Sequence, residues 1–150
     1  MESWELEARE EIRELVNTYP QLGDSARGKE LAGLFEEGAT IEFVGRGTFV
    51  GREEIAGMVT GIAGQQVADS SVTFVRHHIS NVSITVQSRT EAIGSSYWLV
   101  TNDNGFSSSG RYRDTYRRQD GGPWLIATRY IRPDKVDKVD KGSQTAAKGA

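Results

Sequence analysis

VTFVRHHISNVSITV, residues 72–86, decides the fold, because its alternation of apolar and polar residues changes parity half-way along. Successive side chains of a strand point to opposite faces, so Val75, His77 and Ile79 share one side while Arg76, His78 and Ser80 share the other. Past Asn81 the apolar row becomes Val82, Ile84 and Val86, set against Ser83, Thr85 and Gln87. For both rows to face one core, a bulge or bend must fall near Ser80–Asn81. A long strand bent in this way wraps around its neighbours and leaves a hollow on the inner side, with His77 beside the bend. His78, its sequence neighbour, is then expected on the surface or at an interface.

Upstream of this strand the periodicity is helical. Trp4, Ala8, Ile12, Leu15, Val16 and Tyr19 recur at three- and four-residue steps, with Pro20 expected to end the helix. Asp24 or Ser25 would cap a second helix carrying Leu31, Leu34 and Phe35 and closing near Gly38. ATIEFV then reads as a strand, GRG as a turn and TFV as its return, before a third helix that starts after Gly51 and gives way to a loop marked by Gly61 and Gly64. Downstream, residues 72–87, 90–101, 106–118 and 124–131 read as antiparallel strands, with NDNG and QDGG as turns. Helices followed by strands predict an α+β fold in which helices cover one face of the sheet.

The 150 residues suit one domain over 1–132, followed by a polar tail over 133–150, PDKVDKVDKGSQTAAKGA, that lacks the apolar groups needed to order itself. The net charge is −3 and no dense Lys/Arg run is interleaved with aromatics, so nucleic acid is not an expected partner. With no cysteine and two histidines, neither a thiolate nucleophile nor a protein-built metal centre is expected, and the chemistry should need no cofactor. The acidic, amphipathic start and the absence of a long apolar run give the expectation of a cytoplasmic protein without membrane contact.

Several side chains stand out on the predicted elements. Arg129 projects from the apolar row Leu125, Ala127 and Ile131, where a permanent charge needs Glu42, Asp114 or an anionic ligand as partner. Tyr19 ends the apolar stripe of the first helix. Tyr112, Asp114 and Tyr116 share one side of a strand and face either a pocket or a subunit interface. Apolar groups on both sides of the fourth predicted strand, Ile93, Tyr97 and Leu99 against Ala92, Trp98 and Val100, predict a homo-oligomer, because helices cover one side.

The segments IRELVNTYPQLGD (12–24), LAGLF (31–35) with ATIEF (39–43), GTFVGREEI (47–55), RHHISN (76–81) and GRYRDTYRRQDGGPWLIATRYIR (110–132) together resemble the SnoaL-like branch of the nuclear transport factor 2-like superfamily. The likeness is to its scytalone dehydratase, bile acid 7α-dehydratase and hexachlorocyclohexane dehydrochlorinase members and covers about residues 8–132. It implies a cone-shaped barrel of curved, mixed or antiparallel sheet wrapped around N-terminal helices, a central apolar pocket and a homodimer or homotrimer. It also implies that Asp24 pairs with His77, that Tyr19 and Arg129 join the site, and that Phe43, Asn81, Tyr97, Tyr112 and Asp114 line the substrate pocket. Where scytalone dehydratase has a further histidine, this chain shows Ser96, Trp98 and Val100. The function implied is a cofactor-free lyase of dehydratase type, or an isomerase or cyclase, acting on a hydrophobic cyclic molecule such as a steroid, terpenoid or polyketide. A domain that binds or assembles without chemistry is the alternative. In the catalytic reading His77 takes a carbon-bound proton, Asp24 orients it, and Tyr19 and Arg129 hold the carbonyl or departing oxygen.

Overall fold

The computed structural model describes residues 1–135; the rest of the predicted tail, 136–150, lies outside the described residues. Three helices, α1 (Ser3–Asp24), α2 (Gly28–Ala32) and α3 (Gly51–Val67), lie against six strands: β1 (Phe35–Phe43), β2 (Gly47–Val50), β3 (Val75–Val86), β4 (Glu91–Asn102), β5 (Gly105–Arg117) and β6 (Leu125–Pro133). The strands form one curved sheet in the order β2-β1-β6-β5-β4-β3. It is mixed, since β1 runs parallel to β6 while the other neighbours are antiparallel. The α+β class and the wrapped helices are as expected, but the sheet is open, with β2 and β3 as edges, and no barrel closes.

The parity change at Asn81 is a bulge. Pairing of β3 with β4 shifts register between Ser80 and Ser83, and Asn81 takes a left-handed backbone with φ of 52°. One extra residue on β3 therefore returns Val82, Ile84 and Val86 to the face already occupied by Val75 and His77. Asparagine suits this position because it adopts the left-handed region at lower cost than most residues. Its own side chain is exposed, so the expectation that Asn81 lines the pocket is corrected: it shapes the strand that does.

Helix α1 runs through Pro20 to Asp24. Proline inside a helix removes one hydrogen bond and costs about 3 kcal/mol, but Tyr19, Pro20 and Leu22 are all buried, and that packing outweighs the local preference. The helix ends one turn later in a reversal: Arg27 N–H donates to Leu22 O at 2.9 Å and Ala26 N–H to Gly23 O at 3.0 Å, with Ala26 at φ 56°. This is the six-to-one and five-to-two hydrogen-bond pattern that usually carries glycine. Asp24 is thus the last residue of α1, not the cap of α2, whose preceding residue is Arg27. Two further boundaries move. Phe35 begins β1 because it pairs with Ile126 of β6, which cuts the second helix to five residues. Helix α3 continues through Gly61 and Gly64, since its Ile55, Met58 and Val59 pack into the core and hold the glycine-rich turns helical. Strand β6 extends through Pro133, two residues beyond the strand end expected at 131, and Asp134 N–H donates to Ser109 O at 2.8 Å.

Within the described residues, no helix is long and apolar enough to cross a membrane. The two left-handed residues yield the first test. Ala26→Gly and Asn81→Gly should each raise stability by about 0.5–1 kcal/mol in urea unfolding, whereas Asn81→Val should lower it by about 1–2 kcal/mol.

Candidate active site

Asp24 and His77 lie 53 residues apart in the chain and meet in the hollow between α1 and β3. The carboxylate makes two contacts with one residue: His77 backbone N–H donates to Oδ2 at 2.9 Å, and His77 Nδ1 lies 2.6 Å from Oδ1. A carboxylate only accepts, so Nδ1 carries the proton and the lone pair of the neutral imidazole sits on Nε2. Both side chains line the same cavity. An acid in the last turn of a helix opposes the helix dipole, a cost of some tenths of a kcal/mol, and α1 has no basic residue in that turn. The His77 contacts offset this cost. His78 points the other way, exposed, with Nε2 3.0 Å from Thr101 Oγ1.

The cavity encloses about 570 Å3 of non-atom space, a figure that includes the open solvent at its mouth. Tyr19, Phe43, Trp98, Tyr112 and Ile131 form one side with the dyad; Leu31, Met58, Val59, Ile62 and Ala63 form the helical side. It adjoins a more polar hollow that shares Phe43, Ile62, Gln66, His77 and Trp98 and adds Arg46, Asn102 and Ser108. The Trp98 indole lies tilted 6.5 Å from the His77 ring and stacked 6.1 Å from Tyr112. Glycine at 110 makes room for it, since a Cβ there would stand 2.3 Å from the indole Cζ2 and 2.5 Å from Arg132 O.

Arg129 is 1% exposed and lies outside the cavity wall. Its Nε and Nη2 donate to Asp114 Oδ1 and Oδ2, both at 2.8 Å, and Tyr116 hydroxyl donates to the same carboxylate at 2.7 Å. The guanidinium carbon sits 4.2 Å from the Tyr19 ring centre and 4.0 Å from that of Tyr112, a cation held between two aromatic rings. Burial works against its charge, but Asp114 outweighs that effect and keeps Arg129 more firmly protonated than a free arginine. The expected direct contact of Arg129 with a substrate oxygen is therefore corrected: of the partners read from sequence, Asp114 takes it, and its influence on the cavity passes through the tyrosines. Asp114 is likewise buried beneath the floor, engaged with Arg129 and Tyr116. Tyr97 is 56% exposed on the outer face, because Trp98 takes the inward position of β4.

Phe43 and Tyr112, both named from the sequence, line this cavity. Trp98 and the α3 wall were missed. Their signal was present in the spacing of Ile55, Met58, Val59 and Ile62, which is helical once Gly61 is allowed inside the helix.

The pattern of the SnoaL-like domain matches residues 4–130. The chain belongs to the SnoaL-like domain family. Among solved structures, this SnoaL-like chain is similar to a protein assigned as a scytalone dehydratase from Novosphingobium aromaticivorans DSM 12444, with 24% identity, TM-score 0.75 and 93% of each chain covered. A nuclear transport factor 2-like protein with a cystatin-like fold from the same organism has 27% identity and TM-score 0.76, over 91% of this chain and 88% of that one. Hexachlorocyclohexane dehydrochlorinase LinA-type3 from Novosphingobium barchaimii LL02 has 20% identity and TM-score 0.73, over 88% and 90%. No curated protein matches the SnoaL-like chain.

Two measurements check this floor. Asp114→Asn strands the buried guanidinium and should cost about 3–5 kcal/mol of stability in urea unfolding. Burial also raises the pKa of Tyr19, Tyr112 and Tyr116 above the ordinary 10.0. The folded chain then keeps protons that the unfolded chain releases, so stability is fully present below about pH 10 and falls above it. Phenolate absorbance from these three residues should emerge together with unfolding rather than before it.

Proposed function

We propose that the protein is a cofactor-free lyase that removes water from a hydrophobic cyclic molecule. The observation that carries this reading is the double contact of Asp24 with His77, which leaves Nε2 as a free base at an apolar cavity. His77 Nε2 takes a proton from a carbon next to a carbonyl, and the C–H electron pair moves into the ring, placing charge on the carbonyl oxygen. Asp24 supports the resulting imidazolium. Collapse of that charge expels hydroxide from the β-carbon, which takes the proton back from the imidazolium and leaves as water. Tyr19 lines the cavity and stays a neutral donor because burial raises its pKa, so its hydroxyl can hold the oxygen that gains charge. Arg129 is a positioning residue that fixes the Tyr19 ring from behind. The family and the dehydratase and dehydrochlorinase among its structural neighbours support a reaction of this kind. Return of the proton to another carbon would make the same site an isomerase.

The outer face of the sheet carries exposed Ile93, Tyr97 and Leu99, and we assign it to a homo-oligomer contact. The substrate is a small molecule, with neither nucleic acid nor membrane required.

The activity is tested with ring β-hydroxyketones, unlabelled and deuterated at the α-carbon, read as water loss by mass. The protein should accelerate loss, more slowly for the deuterated compound. His77→Ala should lower the rate about 10²–10⁴-fold, Asp24→Asn at least about a hundredfold, and His78→Ala little. Turnover that survives His77→Ala would contradict the reading.

A further inference from the structure

We infer that Arg46 is a specificity-determining residue: its guanidinium receives a carboxylate carried on a side arm of the substrate, in the polar hollow that adjoins the His77 cavity. The inference rests on the assignment of that cavity as the substrate site and adds to it an anionic group on the molecule bound there.

The two spaces are lined in part by the same residues. Phe43, Ile62, Gln66, His77 and Trp98 border both, so a molecule with its ring beside His77 can extend from one into the other. Their remaining linings differ in chemistry. The inner space adds Leu31, Met58, Val59, Ala63 and Ile131, whereas the outer adds Arg46, Gln65, Asn102, Ser107 and Ser108. A ligand that matches both is apolar at one end and polar at the other.

Arg46 is set in place by its backbone and by two side-chain contacts. Its N–H donates to Phe43 O at 2.9 Å in the turn between β1 and β2, between Gly45 at φ 88° and Gly47 at φ 120°. Nη1 donates to Gln65 Oε1 of α3 at 2.9 Å, and the guanidinium carbon lies 5.3 Å from the Phe43 ring centre. Among the described residues, Nε and Nη2 make no hydrogen bond and no ion pair. Those two nitrogens form the edge with which Arg129 grips both oxygens of Asp114, the geometry that a carboxylate matches best.

The charges around it favour an incoming anion. Arg46 is the one arginine or lysine among the described residues that line the two spaces. The acids of those linings are engaged elsewhere: Asp24 by His77, and Asp69 by the backbone N–H and hydroxyl of Ser71, at 3.0 and 2.7 Å. A guanidinium held at two points, with its fork open beside the amides of Gln65 and Asn102, binds a carboxylate more strongly than a neutral acceptor. Because Arg46 is exposed, salt screens that preference.

The test compares 4-(2-naphthyl)butanoate with 4-(2-naphthyl)butan-1-ol, the same ring and arm ending in a carboxylate or a neutral hydroxyl, with binding read by naphthyl fluorescence. The native protein should bind the carboxylate about tenfold more tightly at low salt, and the preference should shrink as sodium chloride is raised. Arg46→Met keeps an apolar stem and removes the fork; it should abolish the preference while changing affinity for the alcohol less than about twofold. 2-Naphthoate, whose charge sits on the ring itself, should bind less tightly than 2-naphthylmethanol, because the inner lining offers it no arginine or lysine. Equal affinity of the native protein for the two arm-bearing ligands, a preference that persists in Arg46→Met, or parallel losses for both ligands would overturn the inference. Failure of the general-base reading shows differently: elimination would survive His77→Ala while the carboxylate preference still depended on Arg46.

Discussion

One carboxylate ties the last turn of a helix to the first turn of a bent strand. Asp24 holds both the backbone N–H and the ring of His77, so the contact that docks α1 on β3 also fixes the tautomer and aim of the imidazole. Much else follows from where these two elements must lie. The helix has to reach residue 24, which requires it to pass through Pro20 and to stop abruptly at the left-handed Ala26. The strand has to present His77 inward and still bury Ile84 farther along, which requires the bulge at Asn81.

The floor of the cavity obeys a second constraint. A guanidinium 1% exposed is costly to bury, and here it is accommodated by a bidentate carboxylate and two aromatic faces. Replacing such a pair with apolar groups is often neutral or stabilising, so its presence calls for a reason beyond stability. Position supplies one. The cation packs against the rings of Tyr19 and Tyr112, which line the cavity, while Asp114 binds its Nε and Nη2.

The sheet is legible in sequence for a physical reason: period-two patterning over long strands is a strong signal, and its break at Asn81 marks the bend, whereas the pairing of Asp24 with His77 is implied by the family resemblance alone. Local rules misplaced the helical boundaries. Pro20 and Gly61 read as terminators by propensity, yet the burial of Tyr19, Leu22, Met58 and Val59 outweighs them. Phe35 reads equally well as part of a helical stripe or a strand, and pairing with distant Ile126 decides it. Arg129 and Asp114 were both visible as candidates, with Asp114 among the partners considered. Sequence could not show that they satisfy each other below the cavity, because that depends on side-chain reach across adjacent strands: the register sets Asp114 opposite Arg129. Tyr97 failed by a single step of parity, and Trp98, its inward neighbour, is the pocket residue.

Asp24 accepts the Nδ1 proton of His77 and leaves Nε2 bare at the cavity. Long-range proton–nitrogen correlation spectra of nitrogen-15-labelled protein, assigned with His77→Gln and His78→Gln, read this tautomer directly at a pH where the ring is neutral. A protonated Nδ1 and an unprotonated Nε2 are expected for His77, with that preference weakened in Asp24→Asn. A His77 ring carrying its proton on Nε2, or a tautomer indifferent to Asp24→Asn, would contradict it.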